Sequence, residues 1–274
     1  MKENIDMWAY TRMIVLFALS TALYAVFLWI FAQLPALQIV PGFTSVRPAN
    51  AFPIVTSLLF GPASSWGAAF GNLIGYDIMG GYLTIGSIGG FIGNFFFGLL
   101  PYYTYHKFFK EEPHCKTLTS LAKFEVTVFL ASSACGMIIA TWLELTGILP
   151  FAYFSVVVTF NNAIAGWILG PILMALFYDR VEKLGLRWTD IMPGFKFIAE
   201  ERGFRVTVGY ILLWIGFVVG NFLTMGVAFG VTDAPFKETL TGYFINPIAA
   251  TSLIFIIIGL VGLVFMELGR TRVE

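Results

Sequence analysis

Charged residues in this chain are bunched, and long uncharged runs separate the bunches. No Asp, Glu, Lys or Arg occurs from Met13 to Val46, Pro48 to Tyr76, Ile78 to His106, Val126 to Leu143, Leu145 to Tyr178, Val206 to Thr232 or Thr239 to Met266. A helix crossing the hydrocarbon layer needs about 20 mostly apolar residues, because that layer is roughly 30 Å thick. The runs meet or approach this length and lack the ten-residue alternation of an outer-membrane barrel. Lipid cannot satisfy open backbone groups, so helices are the spanning elements. Within 48–76, Gly61-Pro62 followed by Ala63-Ser64-Ser65 reads as a turn and a fresh helix start. The pattern predicts helices near 11–33, 48–60, 63–79, 83–105, 123–146, 153–179, 205–230 and 243–268. The expected fold is all-α: a polytopic membrane bundle of about eight transmembrane helices. The apolar stretch from Met13 to Ala32 is too long for a cleaved signal and is read as the first span.

Charge then orients the helices. With eight spans and both termini cytoplasmic, the inner segments hold Lys2, Arg12, Lys107, Lys110, Lys116, Lys123, Arg180, Lys183, Arg187, Lys196, Arg202, Arg205, Arg270 and Arg272. These are 14 of the 16 basic residues, and only Arg47 and Lys237 fall outside. Cytoplasmic loops of membrane proteins carry such an excess. A single helix over 48–76 would put the two basic loops on opposite sides. Composition agrees: 58% of residues are hydrophobic and 12% charged, about half the charge of a soluble domain. A net charge of zero points to no nucleic-acid partner. Cys115 and Cys135 fall at different depths, so no disulfide is expected.

Small residues predict how the helices meet. Lipid tails are as apolar as Leu, so membrane helices associate by close backbone approach. Glycines at 67, 71 and 75, and the pairs 86/90, 89/93, 166/170, 216/220 and 226/230, repeat every four residues and read as packing ladders. No Walker pattern or dinucleotide fingerprint is present. Ala18 and Ala22 make a flat strip on the first helix, either packed inside the bundle or facing another membrane subunit.

Buried polar groups are costly in lipid and point to function. Arg47, Asp77 and Glu144 each sit at the outer end of a predicted helix, where they either pair with one another or line a pocket. Asp233, Lys237 and Glu238 form a solvated loop. Asn50, Asn72, Asn94, Asn161 and Asn162 lie in apolar helices; Asn72 and Asn94 beside the glycines either bridge helices or face a ligand. Tyr76, Tyr82, Trp142, Tyr153 and Trp167 are candidate walls for a ring or interfacial anchors. Catalysis has little support. His106 and His114 fall in a cytoplasmic loop, and neither HExxH nor GxSxG occurs. No catalytic or metal residue is assigned, and no midplane carboxylate suggests proton coupling.

Three stretches carry a family resemblance: Ala18-x-x-x-Ala22; Pro41-Gly-Phe-Thr-Ser-Val-Arg47-Pro-Ala-Asn50; and Phe60-Gly-Pro-Ala-Ser-Ser-Trp-Gly-Ala-Ala-Phe-Gly-Asn-Leu-Ile-Gly75, followed by a Gly-rich helix ending at Leu100-Pro101-Tyr102. Over about residues 10–185 the chain resembles the substrate-binding S component of an energy-coupling-factor (ECF) vitamin transporter. The resemblance implies a six-helix substrate-binding core over 1–185; the chain departs from that pattern with a cytoplasmic linker over 186–204 and an additional two-helix hairpin over 205–274. It implies capture of a vitamin-like small molecule at the outer face of a prokaryotic cell membrane, near Arg47, Asn50, Asp77, Asn161 and Asn162, and Glu144 joins these candidates as a carboxylate at an outer helix end. Ala18 and Ala22 would dock on a transmembrane coupling subunit. Two cytoplasmic ATPases would use ATP, and this chain would bind no cofactor. Cobalamin and a queuosine precursor both remain open as substrates. The competing readings are a stand-alone secondary transporter of a small organic solute and, less supported, a membrane enzyme.

Overall fold

A computed structural model describes residues 1–40, 44–195, 203–233 and 246–269. Pro41 to Phe43 of the stretch before Arg47 lie outside the described residues, as do Lys196, Arg202, Lys237, Glu238, Arg270 and Arg272. The chain is a helix bundle. A short α1 (Glu3–Asp6) precedes α2 (Thr11–Ala32). Then come α3 (Ala51–Phe60), α4 (Pro62–Asn72), α5 (Gly86–Thr104), α6 (Leu118–Leu145) and α7 (Phe151–Lys183). A four-residue α8 (Trp188–Ile191) is followed by α9 (Phe204–Leu213), α10 (Gly220–Ala228) and α11 (Pro247–Leu268). Among the described residues, Thr11–Ala32, Leu118–Leu145, Phe151–Ile191, Phe204–Ala228 and Pro247–Leu268 are long and apolar enough to cross a membrane.

One small departure from an all-helical chain comes after α2. Strands β1 (Gln38–Val40) and β2 (Thr44–Ser45) pair antiparallel, with Gln38 opposite Ser45 and Val40 opposite Thr44. Backbone outside a helix still needs partners, and the Val46 N–H closes the loop on the Leu37 carbonyl at 2.6 Å.

The bundle is built around α3. It packs against α2, α4, α5 and α7, and every residue of it except Phe52 is buried. At 10 residues it is about 15 Å long, and its neighbours supply the apolar surroundings that lipid supplies to longer helices. Gly61 turns the chain into α4 with φ +54°, and the Trp188 ring of α8 lies where a β-carbon would project, its Cγ 2.5 Å away. Gly suits both the left-handed backbone and the close approach. Trp188 is 3% exposed, so the α8 turn within the expected 186–204 linker is packed against the bundle, whereas Phe204 at its end is 82% exposed.

Glycine ladders place the other helices. Gly67 and Gly71 face Ser20 and Tyr24 of α2, and Gly75 meets the backbone of Ala25. Gly89 and Gly93 of α5 face Trp142 and Ile139 of α6, while Gly166 and Gly170 of α7 face Val128 and Phe124. In the C-terminal pair, Gly209 abuts Gly262 and Gly216 abuts Gly259. Gly226 and Gly230 are not part of this set. Gly226 meets Thr232 of its own loop, and Gly230, beyond the end of the helix at Ala228, has no neighbour within 4 Å among the described residues.

The helix predicted near 83–105 is α5, and it carries Pro101 inside it. Proline removes a helix donor and pushes carbonyls apart. Ser57 of α3 repairs the gap: its hydroxyl donates to the Gly98 carbonyl at 2.5 Å and accepts the Tyr102 N–H at 3.1 Å. The C-terminal helices pack on α6, α7 and the end of α5. Asn221 of α10 joins Ser155 and Thr159 of α7, and Glu267 of α11 accepts from the Tyr103 hydroxyl at 3.0 Å.

Candidate functional site

Five of the longer helices converge on one cavity of about 290 Å³. The residues that line it arrive by different local devices. After Asn72, α4 passes into a π-helical turn over Leu73–Ile78. A π turn adds a residue and rotates the side chains beyond it, and such turns recur at functional sites. Gly75 holds the turn against Ala25 of α2, and the two residues after it, Tyr76 and Asp77, are both buried and line the cavity. Asn72, one turn earlier, donates from Nδ2 to Asp77 Oδ2 at 3.2 Å.

Arg47 lies opposite, at the start of the 3₁₀ turn Pro48–Asn50. Its guanidinium carbon sits 3.9 Å from the centroid of the Tyr76 ring. A cation over an aromatic face is attracted by the ring quadrupole. Its backbone N–H donates to Asn161 Oδ1 at 3.1 Å. The Arg47 side chain makes no ion pair with any described residue, and its Nε is buried without a hydrogen-bond partner. Among the described residues, Arg47 and Asp77 are the only charged ones in the lining, so these offer one group of each sign.

Asparagines complete the polar surface. Asn161 and Asn162 of α7 and Asn94 of α5 all line the cavity. Asn50 lies just behind, donating to Asn162 Oδ1 through Nδ2. The Tyr24 hydroxyl of α2 stands 3.0 Å from both Asn50 Oδ1 and Asn94 Oδ1. Tyr76 and Tyr82 supply an aromatic side, their centroids 5.1 Å apart, and Ile139, Leu143 and Phe154 supply an apolar one.

The cavity thus gathers Arg47, Asp77, Asn161 and Asn162, with Asn50 in the shell behind them. Glu144 does not line it. Its Oε2 accepts the Phe151 N–H at 2.7 Å and its Oε1 accepts from Asn246 Nδ2 at 2.7 Å. A carboxylate is stabilised there by the orphan donors at the start of α7. Trp142, Tyr153 and Trp167 also stay outside the lining; the Trp142 indole donates to the Ile85 carbonyl at 2.8 Å. His106 packs on Trp188, and His114 Nδ1 accepts the Lys116 N–H at 3.0 Å, both away from the cavity. Cys115 and Cys135 are free thiols. Ala18 and Ala22 lie on the exposed face of α2, opposite Leu16, Ser20, Tyr24 and Leu28, which are buried.

Tyr24 and Cys135 were not among the sequence candidates. A signal for Tyr24 exists: it is a phenol in the middle of a run otherwise nearly free of polar groups. A buried hydroxyl there needs a partner.

A family model described as QueT transporter matches residues 14–179. No curated protein matches the chain, and no solved structure does. The matched range contains every residue of the cavity lining and ends before α9.

Proposed function

The chain belongs to the QueT transporter family, a family of membrane-embedded substrate-binding S components, and on that premise we propose that its cavity captures a queuosine precursor at the outer face of a prokaryotic cell membrane. Members of this family are transporters rather than enzymes, and they work with the partners of an ECF module. Here those partners are a transmembrane coupling subunit and two cytoplasmic ATPases that use the ATP. The chain crosses the membrane eight times with both termini inside, which keeps 14 of its 16 basic residues cytoplasmic.

The observation that carries this reading is the cavity itself. At about 290 Å³ it lies at the small end of ligand pockets, which run from roughly 300 to 1,000 Å³. A 7-deazaguanine base is flat and presents N–H donors beside carbonyl and ring-nitrogen acceptors. Asp77 and the asparagine oxygens match the donors, the Arg47 guanidinium matches the acceptors, and Tyr76 and Tyr82 flank a ring. Glu144 is left out of the binding set because its oxygens are committed to Phe151 and Asn246.

Ala18 and Ala22 form the docking strip for the coupling subunit. Its accessibility supports this: both are exposed on α2, and α9–α11 cover the flank of α6 and α7 instead. The described part of the added hairpin therefore leaves the strip open.

Uptake into vesicles tests the proposal. Labelled 7-deazaguanine should accumulate only when the coupling subunit, both ATPases and ATP are present. Accumulation by this chain alone, without ATP, would overturn it in favour of a secondary transporter.

A further inference from the structure

The Tyr24 hydroxyl carries one proton and faces two acceptors, Asn50 Oδ1 and Asn94 Oδ1, each at 3.0 Å. As the two amides stand, each turns its NH2 group away from Tyr24 to another partner. Asn50 Nδ2 donates to Asn162 Oδ1, and Asn94 Nδ2 donates to the Gly90 carbonyl at 2.8 Å. All three residues are nearly inaccessible, at 2%, 1% and 3% exposure for Tyr24, Asn50 and Asn94. One proton cannot satisfy two buried carbonyl oxygens, and an unmet buried acceptor is unfavourable. Asn94 lines the cavity, whereas Asn50 lies behind it.

We propose that the ligand places an N–H donor on Asn94 Oδ1, which commits the Tyr24 proton to Asn50 and makes Tyr24 the residue through which α2 registers an occupied cavity. This rests on the reading of the cavity as the substrate site. In the empty protein the proton is shared between two nearly equivalent acceptors. A ligand N–H removes the competition at Asn94, so Tyr24 has one partner and one geometry. Tyr24 belongs to the helix whose opposite face carries Ala18 and Ala22, and the next residue, Ala25, packs on Gly75 just before Tyr76 and Asp77. A change at Tyr24 is therefore a change in α2. Tyr24 is a positioning residue, and Asn94 is the residue that contacts the ligand.

The test is 19F NMR on the full chain labelled with 3-fluorotyrosine, with 7-deazaguanine as probe. The protein has 11 tyrosines, and Tyr24→Phe identifies the signal of interest by its loss. In the wild type, saturating probe shifts the Tyr24 resonance. In Asn94→Ala, affinity falls at least tenfold and the ligand-induced shift of Tyr24 disappears. Tyr24 also borders the cavity, so the wild-type shift counts only through its loss in Asn94→Ala; a Tyr24 resonance unmoved by ligand in the wild type overturns the inference while the site reading stands. A shift that persists in Asn94→Ala overturns it equally. If 7-deazaguanine fails to bind the wild type, the substrate reading falls, and this inference falls with it.

Discussion

Two buried asparagines of this protein teach different things. Asn221 of α10 is fully buried; its Oδ1 accepts the Ser155 hydroxyl at 2.5 Å and its Nδ2 donates to the Thr159 hydroxyl at 3.1 Å. It lines no part of the cavity, and its partners all belong to the protein. Asn94 of α5 is 3% exposed, yet its oxygen shares a single tyrosine proton with another amide and borders the cavity. The residue type and the depth are alike. What differs is whether the hydrogen-bonding demand is met inside the protein. A satisfied network rigidifies a fold, while an unsatisfied one beside a cavity invites a ligand.

The largest expected effect falls on the open network. Arg47→Ala should weaken 7-deazaguanine binding about 10- to 150-fold, since a charge-assisted hydrogen bond is worth roughly 1.5–3 kcal/mol. Its melting temperature should move little, because among the described residues the Arg47 side chain has no ion pair to lose, only its contact with the Tyr76 ring. Calorimetric titration and thermal unfolding check both halves.

Asn221→Leu should do the reverse. Stability should fall by about 0.6 to 2 kcal/mol, the range for interhelical hydrogen bonds in membranes, with the dissociation constant within about twofold of wild type. If Asn221→Leu lost affinity and Arg47→Ala lost stability instead, the distinction between closed and open networks would collapse. Glu144→Gln belongs with Asn221. It weakens a helix cap by roughly 0.3–1 kcal/mol and should leave binding unchanged; a tenfold loss would return Glu144 to the site.

The smallest effect sharpens the comparison by reporting on local opening. Burial, with a contribution from Glu125, pushes the Cys115 thiol up to about 12 from the usual 9. The thiolate is the reactive form. At pH 8 the folded protein should thus be alkylated at Cys115 more slowly than the unfolded chain, with the rate rising as pH climbs towards 12. Asn221→Leu should speed the reaction at pH 8 and Arg47→Ala should not, as mass spectrometry of alkylated peptides would show.

Much of the site was visible in the residues themselves. Arg47 and Asp77 stood out as charges at the ends of apolar runs, and Asn161-Asn162 as adjacent amides in a helix; all four line the cavity. Glu144 carried the same signal and lines none of it, because the start of α7 and Asn246 take up its oxygens. Glycine spacing identified close packing at Gly67, Gly71 and Gly75; at Gly226 and Gly230 it finds no helix opposite among the described residues. Nothing local announced the π turn over Leu73–Ile78 that brings Tyr76 and Asp77 together.

The sequence by itself determined that this chain is a set of membrane helices with a break at Gly61. Apolar length and the absence of charge are local properties, and lipid acts on each segment separately. Only the tertiary structure decided which buried polar groups answer one another and which face the cavity. Those partners come from distant parts of the chain, as with Tyr24 and Asn94 or Asn50 and Asn162. Their meeting depends on how each helix is turned, and the glycine contacts between helices set that turn.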